Sequence, residues 1–328
     1  MTISKRQIFW RCRHRRSSLS AILALAAIIP FFLSNHAAVG AALASQASAA
    51  ASLSGRPPAP VPATTSKAPA KSRQQSASRQ RSSVRSKIAL VVDANTSEEL
   101  LVKDAERVVP IASITKLMTA MVVLDAKPPM EERLKISDDD RDMVMGTTSR
   151  LHVGWTLTRE DMLHLALMSS ENRAAAALSR YYPGGRPAFI KAMNDKAAAL
   201  GMTKTHFVNS NGLTTENVST ASDLVKLVGA AYQYPLIRQF TTDPSHEVRV
   251  SRYVLAYFNS NRLVGQPNWD IDVQKTGFTN EAGHCLVMRV NADGRALIMV
   301  FLDGDGKLTR FADARRVVLL LAALQHNK

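Results

Sequence analysis

One stretch of this sequence, PIASITKLMTA at residues 110–120, decides the fold. After Ser113, apolar side chains recur at the three- and four-residue spacing of a helix, which places Ser113 at or beside a helix start. Side chains three residues apart share one helix face, so Lys116 is brought beside Ser113. A serine hydroxyl needs a base to become a good nucleophile, and lysine can serve only where it is uncharged. The stretch therefore predicts a serine nucleophile with a lysine base.

The segments on either side of this stretch predict an α/β (α+β) fold. Two short strand-like runs before it, at 88–92 and 100–102, are separated by a turn at 95–97 and predict a hairpin. After it, further helices are predicted at 159–177, 187–200 and 222–232, strands at 269–277, 285–290 and 296–302, and a last helix at 309–325. This order predicts an antiparallel sheet built from both chain ends and flanked by helices, with a mainly helical subdomain inserted between them.

Two further polar motifs extend the predicted site. Ser170-Glu171-Asn172 lies between helical stretches, where Ser170 could relay a proton and the Asn172 amide could hold a peptide backbone and orient the base. Lys275-Thr276-Gly277 ends a predicted strand, so an extended substrate could pair along its edge. There Lys275 and Thr276 would bind a carboxylate, and Gly277 would permit close backbone approach. Lys275 is also the cation expected to lower the pKa of Lys116.

Together and in this order, the three motifs resemble those of the serine penicillin-binding and β-lactamase superfamily. With Asn211-Gly212-Leu213 and residues 168–177, they are most similar to the low-molecular-mass D-alanyl-D-alanine carboxypeptidases and endopeptidases, and within that group to the endopeptidases. The resemblance implies a β-lactamase/transpeptidase-like fold and an acyl-enzyme on Ser113. It also implies cleavage of D-alanyl–meso-diaminopimelyl cross-links in peptidoglycan, with β-lactams as covalent inhibitors. The oxyanion donors would be the backbone N–H groups of Ser113 and Phe278.

Other functions remain to be weighed against cross-link cleavage. A carboxypeptidase that trims pentapeptide stems, or a sensor that is acylated but scarcely turns over, would carry the same motifs. A class A β-lactamase would need a Glu that activates the deacylating water, and the nearest pair, Glu216-Asn217, is better explained as a loop element. The eight histidines show no zinc-binding spacing, so neither a metal nor another cofactor is predicted.

The charge of the chain is concentrated at its N-terminus. Fourteen of the 42 Lys and Arg precede Asp93, and no Asp or Glu does, whereas the remainder is nearly neutral and offers no basic surface for nucleic acid. Basic residues at 5–16, an apolar run at 19–33 and small residues up to 44 predict a signal peptide or anchor at 1–44 and export to the periplasm.

Between the signal sequence and the catalytic domain, residues 45–86 predict a disordered basic Ala/Ser/Pro linker, because they contain almost no large apolar side chains. Its positive charge could favour weak association with anionic envelope surfaces. The peptidase domain then spans 87–328. Cys285 is the one cysteine of that domain, so no disulfide within it is expected, and its apolar neighbours predict a buried strand residue.

Overall fold

The computed structural model describes residues 84–325, so the predicted signal peptide at 1–44 and most of the predicted linker at 45–86 lie outside the described residues. The strands are β1 (Ile88–Asp93), β2 (Glu99–Lys103), β3 (Val109–Pro110), β4 (Arg133–Lys135), β5 (Thr156–Thr158), β6 (Val218–Ser219), β7 (Ser245–Val250), β8 (Tyr253–Phe258), β9 (Asp270–Thr279), β10 (Gly283–Ala292) and β11 (Arg295–Gly304). The α-helices are α1 (Thr115–Asp125), α2 (Arg159–Met168), α3 (Asn172–Arg180), α4 (Gly185–Ala199), α5 (Ala221–Ala231), α6 (Pro235–Thr242) and α7 (Thr309–Gln325).

The main sheet has five strands in the order β2-β1-β11-β10-β9. Every neighbouring pair is antiparallel, and Val91 at the centre of β1 is paired with both Met299 of β11 and Leu101 of β2. The sheet thus joins the two ends of the domain, and α1–α6 lie between β2 and β9 in the chain. This confirms the predicted fold class, including the inserted helical block.

Helices cover both faces of this sheet, which explains why all six residues of β1 are buried and why all except Asp93 are apolar. Alternate side chains point to opposite faces. Ile88, Leu90 and Val92 join the core beneath the inserted helices. Ala89 and Val91 join a second core closed by Phe311, Ala314 and Val317 of α7. The predicted bounds of α7, 309–325, are the observed ones.

The inserted block differs from the prediction in several places, which include the unpredicted short strand pairs β3–β6 and β4–β5. The helix predicted at 159–177 is broken into α2 and α3, because Ser170 has a φ of +65° between them. Helix α6 and the β7–β8 hairpin were not predicted. The hairpin turn at Ser251-Arg252 contains no glycine, although Ser251 has a φ of +54°, so the usual sequence signal for a tight turn is missing.

The start of the domain lies slightly before the predicted boundary at Lys87. Val84 and Ser86 are both buried. The backbone N–H and the hydroxyl of Ser86 each donate to Oδ2 of Asp313 on α7, both at 2.7 Å. Ser86 therefore belongs to the packed domain rather than to the linker. Within residues 84–325, no helix combines the length and apolar character needed to cross a membrane.

Candidate active site

Ser113 lies in a single 3₁₀ turn, Ala112–Ile114, immediately before α1. The turn is sharp because Ala112 has a φ of +46°, a conformation unusual for a residue with a side chain. Serine at a helix start usually caps the helix, but the Ser113 side chain makes no capping hydrogen bond here. Its hydroxyl instead lies 2.7 Å from Nζ of Lys116. The predicted pairing of Ser113 with Lys116 is therefore present in the structure.

Lys116 Nζ is held at three points inside the protein. Besides Ser113 Oγ, it lies 2.8 Å from Oδ1 of Asn172 and 2.7 Å from the backbone carbonyl of Asn211. These last two oxygens can only accept hydrogen bonds, so they take the two N–H groups of an uncharged amine. The remaining lone pair then faces the Ser113 hydroxyl. The three contacts match a neutral lysine poised to take a proton from serine.

Burial supplies the reason for Lys116 to be neutral. Its side chain is 1% exposed, and this burial lowers the pKa of Lys116 to about 7, although the nearby Glu171 carboxylate acts in the opposite direction. A substantial fraction is therefore uncharged near neutral pH. The expected contribution of Lys275 is not found, because burial is what lowers the pKa of Lys116, and the charge of Lys116 instead lowers the pKa of Lys275.

The break between α2 and α3 places Ser170 and Asn172 in the site. Glu171 caps α3, because its carboxylate accepts from the backbone N–H of Ala174 at 2.9 Å. Asn172 then begins α3 and directs its amide oxygen at Lys116. Ser170 Oγ accepts from Nζ of Lys275 at 2.9 Å. Among the described residues, Ser170 has no hydrogen bond to Lys116, so the structure joins Ser170 to the second lysine.

Lys275, Thr276 and Gly277 lie in β9, the edge strand of the main sheet. Lys275 is fully buried, and burial, followed by the charges of Lys116 and Arg310, lowers its pKa well below the ordinary range. Thr276 Oγ1 lies 2.7 Å from Oγ of Ser260. Sequence reasoning missed Ser260, which follows the unpredicted hairpin.

Gly277 allows β9 to approach the turn that carries the nucleophile. A Cβ at this position would lie 3.0 Å from the carbonyl oxygen of Ile111 and 3.2 Å from the backbone nitrogen of Ser113. The close approach expected of Gly277 is therefore used by the protein's own backbone. The next residue, Phe278, has an exposed ring stacked on His284 at 4.2 Å between centroids.

Arg310 is the charged group that sequence reasoning missed most clearly. It is 9% exposed, and its Nε and Nη1 atoms have no hydrogen-bond partner in the structure. Its charge contributes to the lowered pKa of Lys275, so the two basic groups lie within electrostatic range. Among the described residues, neither forms an ion pair with a carboxylate. Buried cations without acidic partners mark a place where an anion would be bound.

Three other sequence interpretations concern residues outside this network. Asn217 is buried and bridges the 208–209 backbone to Thr115, whereas Glu216 is exposed, in agreement with a loop-structuring role. Cys285 is fully buried in β10, and burial raises the pKa of its thiol to about 11. Within residues 84–325, no cluster of side chains is suited to hold a metal ion.

A cleft of about 400 Å³ opens beside this network. Its lining includes Ser170, Glu171 and Asn172 from the α2–α3 junction, together with Arg150 and Tyr257. The loop that carries Arg150 is fastened to the α2–α3 junction, since Ser149 Oγ donates to Glu171 and Asn172 Nδ2 donates to Thr147 Oγ1. Of the three polar motifs, the one at residues 170–172 lines this cleft.

Known proteins resemble this chain in sequence and in structure. The model of the D-alanyl-D-alanine carboxypeptidase family matches residues 73–306 of this chain. The chain belongs to this family. The D-alanyl-D-alanine carboxypeptidase family consists of serine peptidases, and its match covers all three motifs at Ser113, Ser170 and Lys275.

Curated relatives and a solved structure agree with this assignment. The chain is 53% identical to a D-alanyl-D-alanine endopeptidase of Pseudomonas aeruginosa and 51% identical to one of Escherichia coli, each over 231 residues, or 70% of this chain and 74% of the relative. It also resembles penicillin-binding protein D2 of Listeria monocytogenes in its ampicillin-bound form. That match has a TM-score of 0.63 at 30% identity and covers 72% of this chain and 97% of the other.

Proposed function

We propose that this protein hydrolyses D-alanyl–meso-diaminopimelyl cross-links of peptidoglycan through an acyl-enzyme on Ser113. The observation that carries the proposal is the arrangement around Lys116, where two obligate acceptors orient the amine and leave its lone pair for the Ser113 hydroxyl. The identity of 51–53% to two D-alanyl-D-alanine endopeptidases supports cross-links as the substrate.

In the proposed acylation, neutral Lys116 takes the proton of Ser113 as Oγ attacks the D-alanyl carbonyl carbon. The backbone N–H groups of Ser113 and Phe278 are assigned to the developing oxyanion. The proton then passes to the leaving amine, and Ser170 is assigned to this transfer with Lys275 as its partner at 2.9 Å. Water attacks the ester in the second half of the reaction, and Lys116 again acts as the base.

Recognition of the substrate carboxylate is assigned to the strand side of the site. In the cross-link, the amine that leaves is attached to a carbon that bears a carboxylate. Thr276 offers a hydroxyl, and Lys275 and Arg310 are buried basic side chains with no acidic partner among residues 84–325. Asn172 is assigned to the substrate backbone, and Gly277 keeps β9 close to the nucleophile.

The test uses purified cross-linked muropeptide dimers and a fluorescent penicillin. We expect the wild-type protein to release monomers and to be labelled covalently, and we expect Ser113→Ala to lose both properties. Labelling that survives in Ser113→Ala would remove Ser113 from the nucleophile role. If labelling requires Ser113 but dimers persist, the endopeptidase proposal fails. Release of D-alanine from pentapeptides would then identify the carboxypeptidase alternative, and its absence would identify a sensor.

The proposal also includes export to the periplasm, where peptidoglycan lies. It is supported by the basic residues at 5–16 followed by the apolar run at 19–33. We further assign the basic linker at 45–86 a weak affinity for anionic envelope surfaces. Cell fractionation with and without residues 1–44 tests the first assignment, and salt-dependent sedimentation with anionic vesicles tests the second.

A further inference from the structure

The cleft beside the α2–α3 junction contains a buried polar group that the reaction described above does not use. Tyr257 of β8 lines this cleft and is 6% exposed, and its hydroxyl has no hydrogen-bond partner. A buried hydroxyl without a partner costs about 1–3 kcal/mol, so an orphan at a cleft wall points to a bound group that completes it. Burial, together with the Glu171 carboxylate, raises the pKa of Tyr257, so its hydroxyl keeps its proton and can donate.

Two groups of opposite charge accompany this hydroxyl in the cleft. The guanidinium of Arg150 lies 4.6 Å above the centre of the Tyr257 ring, and Nη1 donates to the carbonyl of Ala256 at 2.7 Å. This contact uses one of five N–H donors, which leaves the fork free to bind a carboxylate. In the lining of the same cleft, the buried carboxylate of Glu171 accepts from Ser149 and Ala174 and retains further acceptor capacity.

We infer that this cleft is a subsite for a free amino acid head group, in which Arg150 and Tyr257 bind the carboxylate and Glu171 faces the ammonium. The inference rests on the proposed function and deepens it. In a D-alanyl–meso-diaminopimelyl cross-link, the diaminopimelyl residue that precedes the cleaved D-alanyl bond carries such a head group at the end of its side chain. The leaving diaminopimelyl residue does not, because its amine is part of the amide. The subsite therefore selects the stem that becomes the acyl group.

The position of the cleft fits this assignment. Ser170 and Asn172 line it and also belong to the network around the two lysines. A side chain that enters the cleft consequently belongs to a residue close to the reacting carbonyl. The charges match as well, since a guanidinium and a carboxylate in the lining of one cleft complement a zwitterion better than a simple anion or cation.

The test measures binding to the full chain carrying Ser113→Ala, so that turnover does not interfere. The probes are two pentapeptides with D-alanyl-D-alanine ends, which differ only in a carboxylate or a carboxamide on the diaminopimelyl side chain. We expect the carboxylate peptide to bind about tenfold more tightly, as befits hydrogen bonds to a charged group. Tyr257→Phe or Arg150→Gln, added to Ser113→Ala, should reduce this preference to about twofold or less.

Matched controls come from the same hairpin. Tyr253 and Arg252 are exposed neighbours that bond to each other outside the cleft, so Tyr253→Phe and Arg252→Gln should keep the tenfold preference. Tyr257→Phe should also keep its melting temperature, because its hydroxyl has no partner to lose. Equal affinity for the two peptides, or a preference that survives both cleft variants, would overturn the subsite. Dimer hydrolysis by the protein with native Ser113 is read separately and tests the proposed function alone.

Discussion

Before substrate binds, the two sides of the active site differ in how fully their polar groups are paired. On the helical side, Ser113, Lys116 and Asn172 form a closed set of hydrogen bonds that is complete before any substrate arrives. On the strand side, Lys275 and Arg310 are buried basic side chains with no acidic partner among the described residues, and Arg310 has orphan nitrogen atoms. The fold alone therefore orients the nucleophile and base on the helical side. On the strand side, the negative charge of the substrate supplies the partner that the basic groups lack.

The largest effect is expected from the helical side. Lys116→Ala removes the base, and general base catalysis contributes about 10²- to 10⁴-fold, so the rate of acylation by penicillin should fall about 10³-fold. The fold should persist, because the change removes a buried polar group together with its desolvation cost. Stopped-flow labelling measures the rate, and far-UV circular dichroism checks the fold. A loss of less than tenfold would break the contrast between the two sides.

On the strand side, Arg310→Gln should act through the substrate's charge. Loss of a charged hydrogen bond costs about 1.5–3 kcal/mol, so kcat/KM for a peptide with a free C-terminal carboxylate should fall about 10- to 100-fold. The same peptide with a C-terminal amide, a poorer substrate for the wild type, should lose much less. An equal loss on both peptides would show that Arg310 supports the structure and does not recognise the anion.

Gly277 joins the two sides, so Gly277→Ala should disturb both. The new methyl group would crowd the carbonyl of Ile111 and the backbone nitrogen of Ser113, at a cost of about 1–3 kcal/mol, and acylation should slow about tenfold. Gly294 in the β10–β11 turn has a φ of +72° and open space around it. Gly294→Ala should therefore lower the melting temperature without slowing acylation. Acylation that is slowed equally in both variants would refute the specific role of Gly277.

The smallest effect concerns the pH dependence of the helical side. Because burial brings the pKa of Lys116 to about 7, acylation should fall about tenfold per pH unit well below that value, as the protonated lysine cannot act as a base. The Glu171 carboxylate favours the protonated form, so Glu171→Gln should lower the pKa of Lys116 and move this acidic limb to lower pH. Acylation rates measured across pH test the direction. A shift of the acidic limb to higher pH in Glu171→Gln would contradict this expectation.

Much of this architecture could be predicted from the sequence, for reasons that differ between the regions. Strands β1, β10 and β11 contain apolar runs bounded by turn residues, so local pattern alone predicts them. The pairing of Ser113 with Lys116 follows from helix geometry, since Lys116 lies three positions after Ser113. The signals are local in both cases.

The unpredicted features depend on residues that are distant in the chain. The backbone carbonyl of Asn211, 95 residues after Lys116, accepts a hydrogen bond from Lys116 Nζ. The sequence around Asn211 does not mark this carbonyl as an acceptor. Arg310 lies near the start of α7, and its sequence context does not distinguish it from a surface arginine. It is buried only in the folded domain. The break at Ser170 requires a positive φ in a residue that is not glycine, which tertiary contacts impose against local preference.

The order of the strands in the main sheet has a consequence for how the protein matures. β1 is paired with β11, which begins more than 200 residues later, and the nucleophile segment is synthesised long before β9. Such distant pairings form slowly, because a long loop must close before any contact stabilises it. The site is therefore complete only after β9, which carries Lys275, Thr276 and Gly277, has docked against the turn that holds Ser113.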